Sequence, residues 1–289
     1  MNKMSEKLYE VLKRASLFLD EYNRESKVAE ILLQHHLRIS RSEFFMKMQD
    51  PVPSSVIERF EKDLQLHAET GIPVQHLTGN EMFYGRKFQV NNHVLIPRPE
   101  TEELVLHIIE LVKKKYTENP ITIVDIGTGS GVIAITLALE LPQATVYATD
   151  ISSEALSIAK NNADRLKANV HFLQGDFAQP LIDENIQADI IVSNPPYIAE
   201  SEKAAMDDTV KNFDPALALF ADEEGLAAYR RIIQQAPKVL KRQAQIAFEI
   251  GYKQSADIQE IIMQRFPTAE VRCLKDINGK DRIVSARIF

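Results

Sequence analysis

Apolar residues recur at two different spacings along this chain, and the change between them divides it. From residue 3 to about residue 70 they return every three or four positions, as in Leu8, Val11, Leu12, Ala15 and Leu19. That spacing places apolar side chains on one face of an α-helix. We therefore predict a small bundle of amphipathic helices, and we interpret these apolar residues as its core rather than as a catalytic site.

Capping signals mark the expected ends of these helices. Ser40 and Glu43 fit a capping box, in which a serine and a glutamate three residues later satisfy backbone amides of the first turn. Ser55 and Glu58 repeat the pattern. We therefore expect a helix to begin at each serine, and Gly71 to end the last one.

The spacing changes between residues 80 and 97, where short β-like runs replace the helical pattern. Met82 to Tyr84 and Phe88 to Val90 are separated by Gly85, as expected for two strands of a hairpin. The predicted domains are a helical N-terminal domain over 1–79, a β-hairpin linker over 80–97 and a larger domain over 98–289.

In the larger domain, strand-like runs alternate with helical stretches. The predicted strands are 121–125, 145–150, 170–175, 190–193 and 245–250, and the predicted helices start near Thr101, Val132, Ser153, Gly225 and Gln254. Regular alternation predicts an α/β fold with a parallel sheet covered by helices on both faces. The last two runs, 269–274 and 282–288, flank Asn278-Gly279 and should form an antiparallel hairpin at one sheet edge.

Composition and charge narrow the possible functions. Of the 289 residues, 45% are hydrophobic and 26% are charged, as in soluble globular proteins. The net charge is −7, whereas proteins that bind nucleic acids usually carry an excess of basic residues. No direct nucleic-acid partner is therefore expected. With one cysteine, Cys273, and scattered histidines, neither a disulfide nor a metal site is expected. The charged first residues and the lack of a long apolar window predict a cytoplasmic protein without a membrane segment.

A glycine-rich turn follows the first predicted strand of the larger domain. Glycine lets the backbone approach a ligand closely because it has no Cβ and tolerates positive φ. The Gly-x-Gly-x-Gly spacing departs from the dinucleotide fingerprint, which would need a third glycine at Val132. It resembles the S-adenosylmethionine loop of class I methyltransferases, whose domain is a variant of the Rossmann fold. The candidate cofactor-binding residues here are Asp125, Gly127, Thr128, Gly129, Ser130 and Gly131.

Acidic residues end the next two predicted strands. Asp150 is placed to accept the hydroxyl groups of a ribose, and Asp176 to accept an adenine amino group that Phe177 would cover. Each has a structural alternative, since Asp150 could cap the helix near Ser153 and Phe177 could belong to the core. We expect all three residues to line a cofactor pocket because parallel strands end at the same edge of the sheet.

The tetrapeptide Asn194-Pro195-Pro196-Tyr197 follows the fourth predicted strand. Two prolines make the turn rigid and remove two amide donors, leaving carbonyl acceptors. A planar NH2 group could donate to the Asn194 side-chain oxygen and the Pro195 carbonyl while Tyr197 stacks on it. The pattern alone leaves open whether that group belongs to adenine, cytosine or a glutamine carboxamide. Its structural alternative is a simple turn after a strand.

Further stretches resemble the PrmC/HemK family of peptide-chain release-factor glutamine methyltransferases. They are Gln75 to Gly79, Phe83-Tyr84, Val94 to Glu102, Asn194 to Tyr197, Pro215 to Leu219, Gly225-Leu226, Phe248 to Gly251 and Asp276 to Arg282. The resemblance implies an enzyme of translation termination that uses S-adenosyl-L-methionine to methylate the glutamine of the Gly-Gly-Gln motif in class 1 release factors. It also implies that Asn194 contacts the cofactor as well as the substrate and that Arg98 helps to form the substrate site. Asp214 and Phe177 depart from the family pattern, which often has glutamate and in some members tryptophan there.

Three other functions remain as alternatives. A glutamine methyltransferase acting on a ribosomal protein would share the loop and the tetrapeptide but differ in its N-terminal region. A nucleic-acid adenine amino methyltransferase would need a basic groove and a target-recognition segment. A cofactor-binding module without catalysis would have no need for the Asn194 to Tyr197 clasp.

Overall fold

The computed structural model describes residues 6–116, 120–205 and 208–289. Contacts divide the chain into two compact units, one of Met1–Gly79 with Asp207–Phe213 and one of Asn80–Met206 with Asp214–Phe289. No helix within the described ranges is long and apolar enough to cross a membrane.

The first unit is helical, as its apolar spacing predicts. Its helices up to Gly79 are α1 (Leu8–Glu21), α2 (Lys27–Leu37), α3 (Arg41–Met46), α4 (Ser54–Thr70) and α5 (Val74–Thr78). Their apolar stripes form one core, which includes Leu8, Val11, Leu19, Leu32, Phe44 and Phe60. The recurring residues from Leu8 onward are therefore structural.

One of the two predicted capping boxes is confirmed and the other is wrong. The amide of Glu43 donates to Ser40 Oγ at 3.3 Å, and the amide of Ser40 donates to Glu43 Oε2 at 2.8 Å. Helix α4 instead begins at Ser54, and Pro53, with φ of −59° and ψ of 136°, is the residue that precedes it. Ser55 therefore lies inside the first turn and caps nothing. Gly71, at φ +74°, ends α4 as expected.

The second unit opens with the predicted hairpin. Strands β1 (Asn80–Phe83) and β2 (Arg86–Gln89) pair antiparallel. Tyr84 and Gly85 join them with φ of +49° and +71°, a pair of left-handed residues typical of tight hairpin turns. Asn162 attaches the hairpin to the rest of the unit: its Oδ1 accepts from Gln89 N at 2.7 Å and its Nδ2 donates to Gln89 O at 3.0 Å.

The remaining elements alternate along the chain as predicted. In order they are α6 (Pro99–Lys115), β3 (Ile121–Ile126), α7 (Val132–Glu140), β4 (Ala144–Asp150), α8 (Ser153–Leu166), β5 (Val170–Gln174), α9 (Gln179–Asp183), β6 (Ala188–Ser193), α10 (Asp208–Phe213), α11 (Ala216–Leu219), α12 (Asp222–Gly225), α13 (Ala227–Gln235), β7 (Leu240–Glu249), α14 (Ser255–Arg265), β8 (Glu270–Lys275) and β9 (Asp281–Ile288). Helix α10 belongs to the first unit.

Seven of these strands form one sheet in the order β5-β4-β3-β6-β7-β9-β8. All neighbours from β5 to β7 are parallel, whereas β9 pairs antiparallel with both β7 and β8. Successive residues of β3 face opposite sides: Ile123 packs in a core with α6 and α7, and Val124 in a core with α13 and α14. The sheet is therefore covered on both faces and ends in the expected hairpin.

Candidate active site

A cavity of about 320 Å³ opens in the second unit, where β3, β4, β5 and β6 end. Residues at the end of each of these strands or just after it line the cavity, among them Gly127, Asp150, Asp176 and Asn194. Ligands of open parallel sheets bind at this edge because loops leave the strands there and helix amino termini point toward it. The sequence motifs therefore converge on one cavity.

The glycine loop presents backbone rather than side chains to the cavity. Gly127 and Gly129 line it with φ of +73° and +55°, and a Cβ built on either would have no atom of a non-adjacent residue within 4 Å in the described part of the chain. The amides of Gly127 and Thr128 both donate to Thr149 O at 2.9 Å, which ties the loop to the end of β4. Side chains at the two glycines would thus project into open space that a ligand can otherwise use.

Gly131 and Asp125 support this loop and are not among the residues that line the cavity. A Cβ on Gly131 would lie 2.7 Å from Ile135 Cδ1 and 3.1 Å from Ala159 Cβ. Asp125 is fully buried, and its Oδ2 accepts from Thr128 Oγ1 at 2.6 Å and from Ala134 N at 3.2 Å. Burial raises the pKa of Asp125 to about 7. The structure therefore gives both residues a position behind the loop, and direct cofactor contact by either stays a prediction.

Asp150 lines the cavity with its carboxylate held in place. Oδ2 accepts from Gly129 N at 2.8 Å and Oδ1 from Ser152 N at 2.9 Å. The cap of α8 is Ser152, whose Oγ accepts from Ala155 N at 3.1 Å, so Asp150 is not needed for that purpose. Burial raises the pKa of Asp150. Each carboxylate oxygen retains a lone pair for a hydroxyl group in the cavity.

Asp176 and Phe177 line the next part of the cavity. Phe177 has φ of +50°, an uncommon conformation for a large side chain, and it packs partly against the core under α13. Asp176 Oδ2 accepts from Arg231 Nε at 3.2 Å and Nη2 at 3.1 Å. Gln235 Oε1 accepts from Ala178 N at 2.7 Å and so fixes the turn after Phe177. Sequence reasoning missed both Arg231 and Gln235.

Asn194 lines the cavity after β6 with its carboxamide oriented by a buried pair. Its Nδ2 donates to Thr101 Oγ1 at 3.3 Å, and Thr101 Oγ1 donates to Glu249 Oε2 at 2.7 Å. Glu249 is buried, which raises its pKa to about 7. Because the amide nitrogen points at Thr101, the carboxamide oxygen points away from it. Thr101 and Glu249 both lie in stretches that resemble the family, but no role was predicted for either residue.

Of the other three residues of the tetrapeptide, one lines the cavity and two do not. Pro196 lines the cavity, whereas Pro195 and Tyr197 are not among the lining residues. Tyr197 packs partly against the core under α13, and its carbonyl oxygen accepts from Gln254 Nε2 at 2.9 Å. Gly225 is required beside that carbonyl, because a Cβ there would lie 2.1 Å from the oxygen. The acceptor role predicted for the Pro195 carbonyl and the stacking role predicted for Tyr197 both stay predictions.

Arg98 lines the cavity from the start of α6. Its Nη2 lies 3.0 Å from Oδ2 of Asp214, whose side chain is 1% exposed. The guanidinium lowers the pKa of Asp214 and burial raises it, with burial the larger effect. This pair joins two sequence segments that both resemble family motifs, including the one with the Asp214 departure.

The cavity fits a methyl donor of the predicted type. It offers a bare glycine backbone, a fixed carboxylate at Asp150 for hydroxyl groups and an aromatic ring at Phe177 beside a second carboxylate. Within the described part of the chain no three His, Cys, Asp or Glu side chains are grouped as metal ligands. A seven-stranded sheet of this order with such a cavity defines a class I methyltransferase, and its cofactor is S-adenosyl-L-methionine.

Comparisons with known proteins give the particular family. Residues 10–79 match the PrmC N-terminal domain and residues 107–218 the methyltransferase small domain. The release factor glutamine methyltransferase of Bacillus subtilis is 46% identical, over 97% of this chain and 98% of that protein. The protein of the same name from Staphylococcus aureus is 45% identical, over 90% and 92%. The chain belongs to the release factor glutamine methyltransferase family.

A solved structure supports the fold alone. A methyltransferase from Pyrococcus furiosus aligns over 81% of this chain and 98% of its own, with 16% identity and a TM-score of 0.51. The α/β class predicted from the sequence is thereby confirmed.

Proposed function

We propose that this protein transfers a methyl group to the side-chain amide nitrogen of the glutamine in the Gly-Gly-Gln motif of class 1 peptide-chain release factors. The observation that carries the proposal is the orientation of Asn194, whose nitrogen is bound to Thr101 and whose oxygen is left for a guest amide. The names of its relatives support a release factor as substrate.

The residues of the chain would act on the glutamine by orienting it. Asn194 Oδ1 and the carbonyl of Pro195 accept the two hydrogens of the substrate NH2 group, and neither proline can donate in competition. The nitrogen is then directed at the part of the cavity beside Gly127 and Gly129. Tyr197 and Arg98 are proposed to hold the substrate, and the candidate cofactor residues from Asp125 to Phe177 hold the methyl donor.

A carboxamide nitrogen is a weak nucleophile because its lone pair is delocalised. S-adenosyl-L-methionine supplies a methyl group activated by its attachment to a positively charged sulfur. The protein contributes orientation and two fixed acceptor oxygens, which favour positive charge developing on the amide as it reacts. The methylated amide is then acidic enough to lose a proton to solvent, so the site needs no strong base.

We propose a separate role for each predicted domain. We assign residues 1–79 to recognition of the release factor, the hairpin region 80–97 to a linker and residues 98–289 to catalysis. Release factors act where translation occurs, so we place the enzyme in the cytoplasm, with no nucleic acid as its direct partner.

The test is methyl transfer from labelled S-adenosyl-L-methionine to a purified class 1 release factor. We expect label on the glutamine of the Gly-Gly-Gln motif. Asn194→Ala should lower kcat by on the order of 100-fold, because one positioned acceptor is lost, with little change in cofactor affinity. Asn278→Ala, in the hairpin turn between β8 and β9, is the matched control and should methylate normally.

Parallel reactions with ribosomal proteins and with duplex DNA test the other functions. Label on either substrate in preference to the release factor would overturn the assignment. Normal turnover by Asn194→Ala would overturn the role of that residue alone.

A further inference from the structure

The carboxamide of Asn194 has an oxygen and an NH2 group of nearly the same size, so the side chain fits equally well in two orientations. Only one of these orientations serves the proposed reaction. Turned by half a rotation, the carboxamide would present NH2 to the substrate, and two donors would then face each other. The side chain that decides between the orientations is Thr101, because its Oγ1 lies 3.3 Å from Asn194 Nδ2.

A hydroxyl can donate or accept, so Thr101 alone does not decide the orientation. Its single proton is directed to Glu249 Oε2, 2.7 Å away. An ionised carboxylate accepts hydrogen bonds and cannot donate them. With that proton engaged, Thr101 has only lone pairs for Asn194, and these select the NH2 end of the carboxamide.

We propose that Glu249 is a positioning residue for methyl transfer, acting through Thr101 to keep the Asn194 oxygen directed at the substrate amide. This inference rests on the proposed function. Glu249 and Asn194 are separated by 55 positions in sequence and end or follow neighbouring strands, β7 and β6. Thr101 is 3% exposed and Glu249 is 1% exposed, so water offers Thr101 little competition.

The charge of Glu249 is balanced by groups on several elements. Burial is the largest effect on the pKa of Glu249 and raises it to about 7. The hydrogen bond from Thr101 lowers the pKa, as do the charges of Arg282 and Arg98, whereas the charge of Glu100 raises it. Tyr229 donates its hydroxyl to the main-chain oxygen of Glu249 at 2.8 Å. Burial and, to a smaller extent, the charge of Glu249 raise the pKa of the Tyr197 phenol to about 12. Protonation of the Glu249 carboxylate near neutral pH would let Glu249 donate a hydrogen bond to Thr101. Thr101 could then donate to Asn194, and the NH2 group of Asn194 would no longer be favoured over its oxygen at this position.

The experiment uses the full-length enzyme and a purified release factor. Thr101→Val keeps the shape of the side chain and removes the hydroxyl, so we expect kcat to fall about 10-fold, as for the loss of one net hydrogen bond. Affinity for S-adenosyl-L-methionine should stay within about twofold on the same reasoning. Thr101→Ser restores the hydroxyl and should restore most of kcat. Thr136→Val is the matched control, because the buried Thr136 Oγ1 has no hydrogen-bond partner among the residues that the structure describes.

The pH profile separates positioning from simple packing. Wild-type kcat should rise with pH around 7, as Glu249 ionises, and Glu249→Gln should abolish that rise because glutamine does not titrate. Asp125 also has a pKa of about 7, but a rise in kcat caused by Asp125 would remain in Glu249→Gln. A wild-type kcat in Thr101→Val, or an unchanged pH profile in Glu249→Gln, would overturn the inference. Absence of methylation by the wild-type enzyme would instead contradict the proposed function.

Discussion

Replacing Gly131 by alanine should destabilise the protein through two separable effects. Gly131 precedes α7 with φ of +85°, a left-handed conformation that disfavours a Cβ. The added Cβ would also lie 2.7 Å from Ile135 Cδ1 and 3.1 Å from Ala159 Cβ. Ile135 can move its flexible end, whereas Ala159 is part of α8 and can yield only if the helix shifts.

The magnitudes of the two effects differ. The left-handed conformation costs a non-glycine residue about 1–2 kcal/mol. Inserting a methyl group into a packed interior costs a further ~1–3 kcal/mol. We therefore expect Gly131→Ala to lower the free energy of unfolding of its unit by about 2–5 kcal/mol.

Gly279→Ala isolates the conformational effect. Gly279 has φ of +76° in the turn between β8 and β9, and a Cβ there would have no atom of another described residue within 4 Å, its chain neighbours apart. This control should cost only the ~1–2 kcal/mol of the left-handed conformation. Because the sequence has no Trp, urea unfolding would be followed by far-ultraviolet circular dichroism. Equal shifts of the urea midpoint for Gly131→Ala and Gly279→Ala would show that the contacts of the added Cβ at position 131 have no cost in stability.

Two further predictions concern buried polar groups. Asn162→Ala should cost about 3 kcal/mol in urea unfolding, because it leaves Gln89 N, Gln89 O and Ser130 O without the partner they have within 3.0 Å. A midpoint like that of the wild type would show that other partners replace Asn162. Stability should also fall as pH rises from about 4 to about 7, because Asp125 and Glu249 hold their protons more tightly when folded than at their ordinary pKa values of 3.8 and 4.5. Asp125→Asn should reduce this slope in unfolding curves measured across that range, and an unchanged slope would contradict the effect of its burial.

Much of the fold was predictable because apolar periodicity reports burial directly. Strands β3 and β6 are short apolar runs that are buried on both faces, so their positions could be predicted from the sequence. Strand β7 was predicted only from Gln245, whereas it begins at Leu240. Its first part includes exposed Arg242 and Gln243, and polar residues of this kind are not typical of a buried strand.

The short helices between β6 and β7 were not predicted. Helices α11 and α12 have four residues each, too few for a periodic pattern to be recognised. In α12, Glu223 and Glu224 have positive φ, which no local preference of glutamate favours. Tertiary contacts determine this part of the chain, including the close approach of Gly225 to Tyr197.

The cavity residues that follow strands were predictable, whereas those that orient them depend on topology. Asn194 follows β6, and Glu249 ends β7, which is the next strand in the sheet. Helix α6 leads into β3 and therefore runs back across the sheet, so its first turn, with Thr101, lies at the edge where the parallel strands end. The sheet order thus brings Thr101, Asn194 and Glu249 together although 148 residues separate the first from the last. A polar residue in the first turn of the helix before β3 and an acid at the end of β7 are the signals that could have identified them.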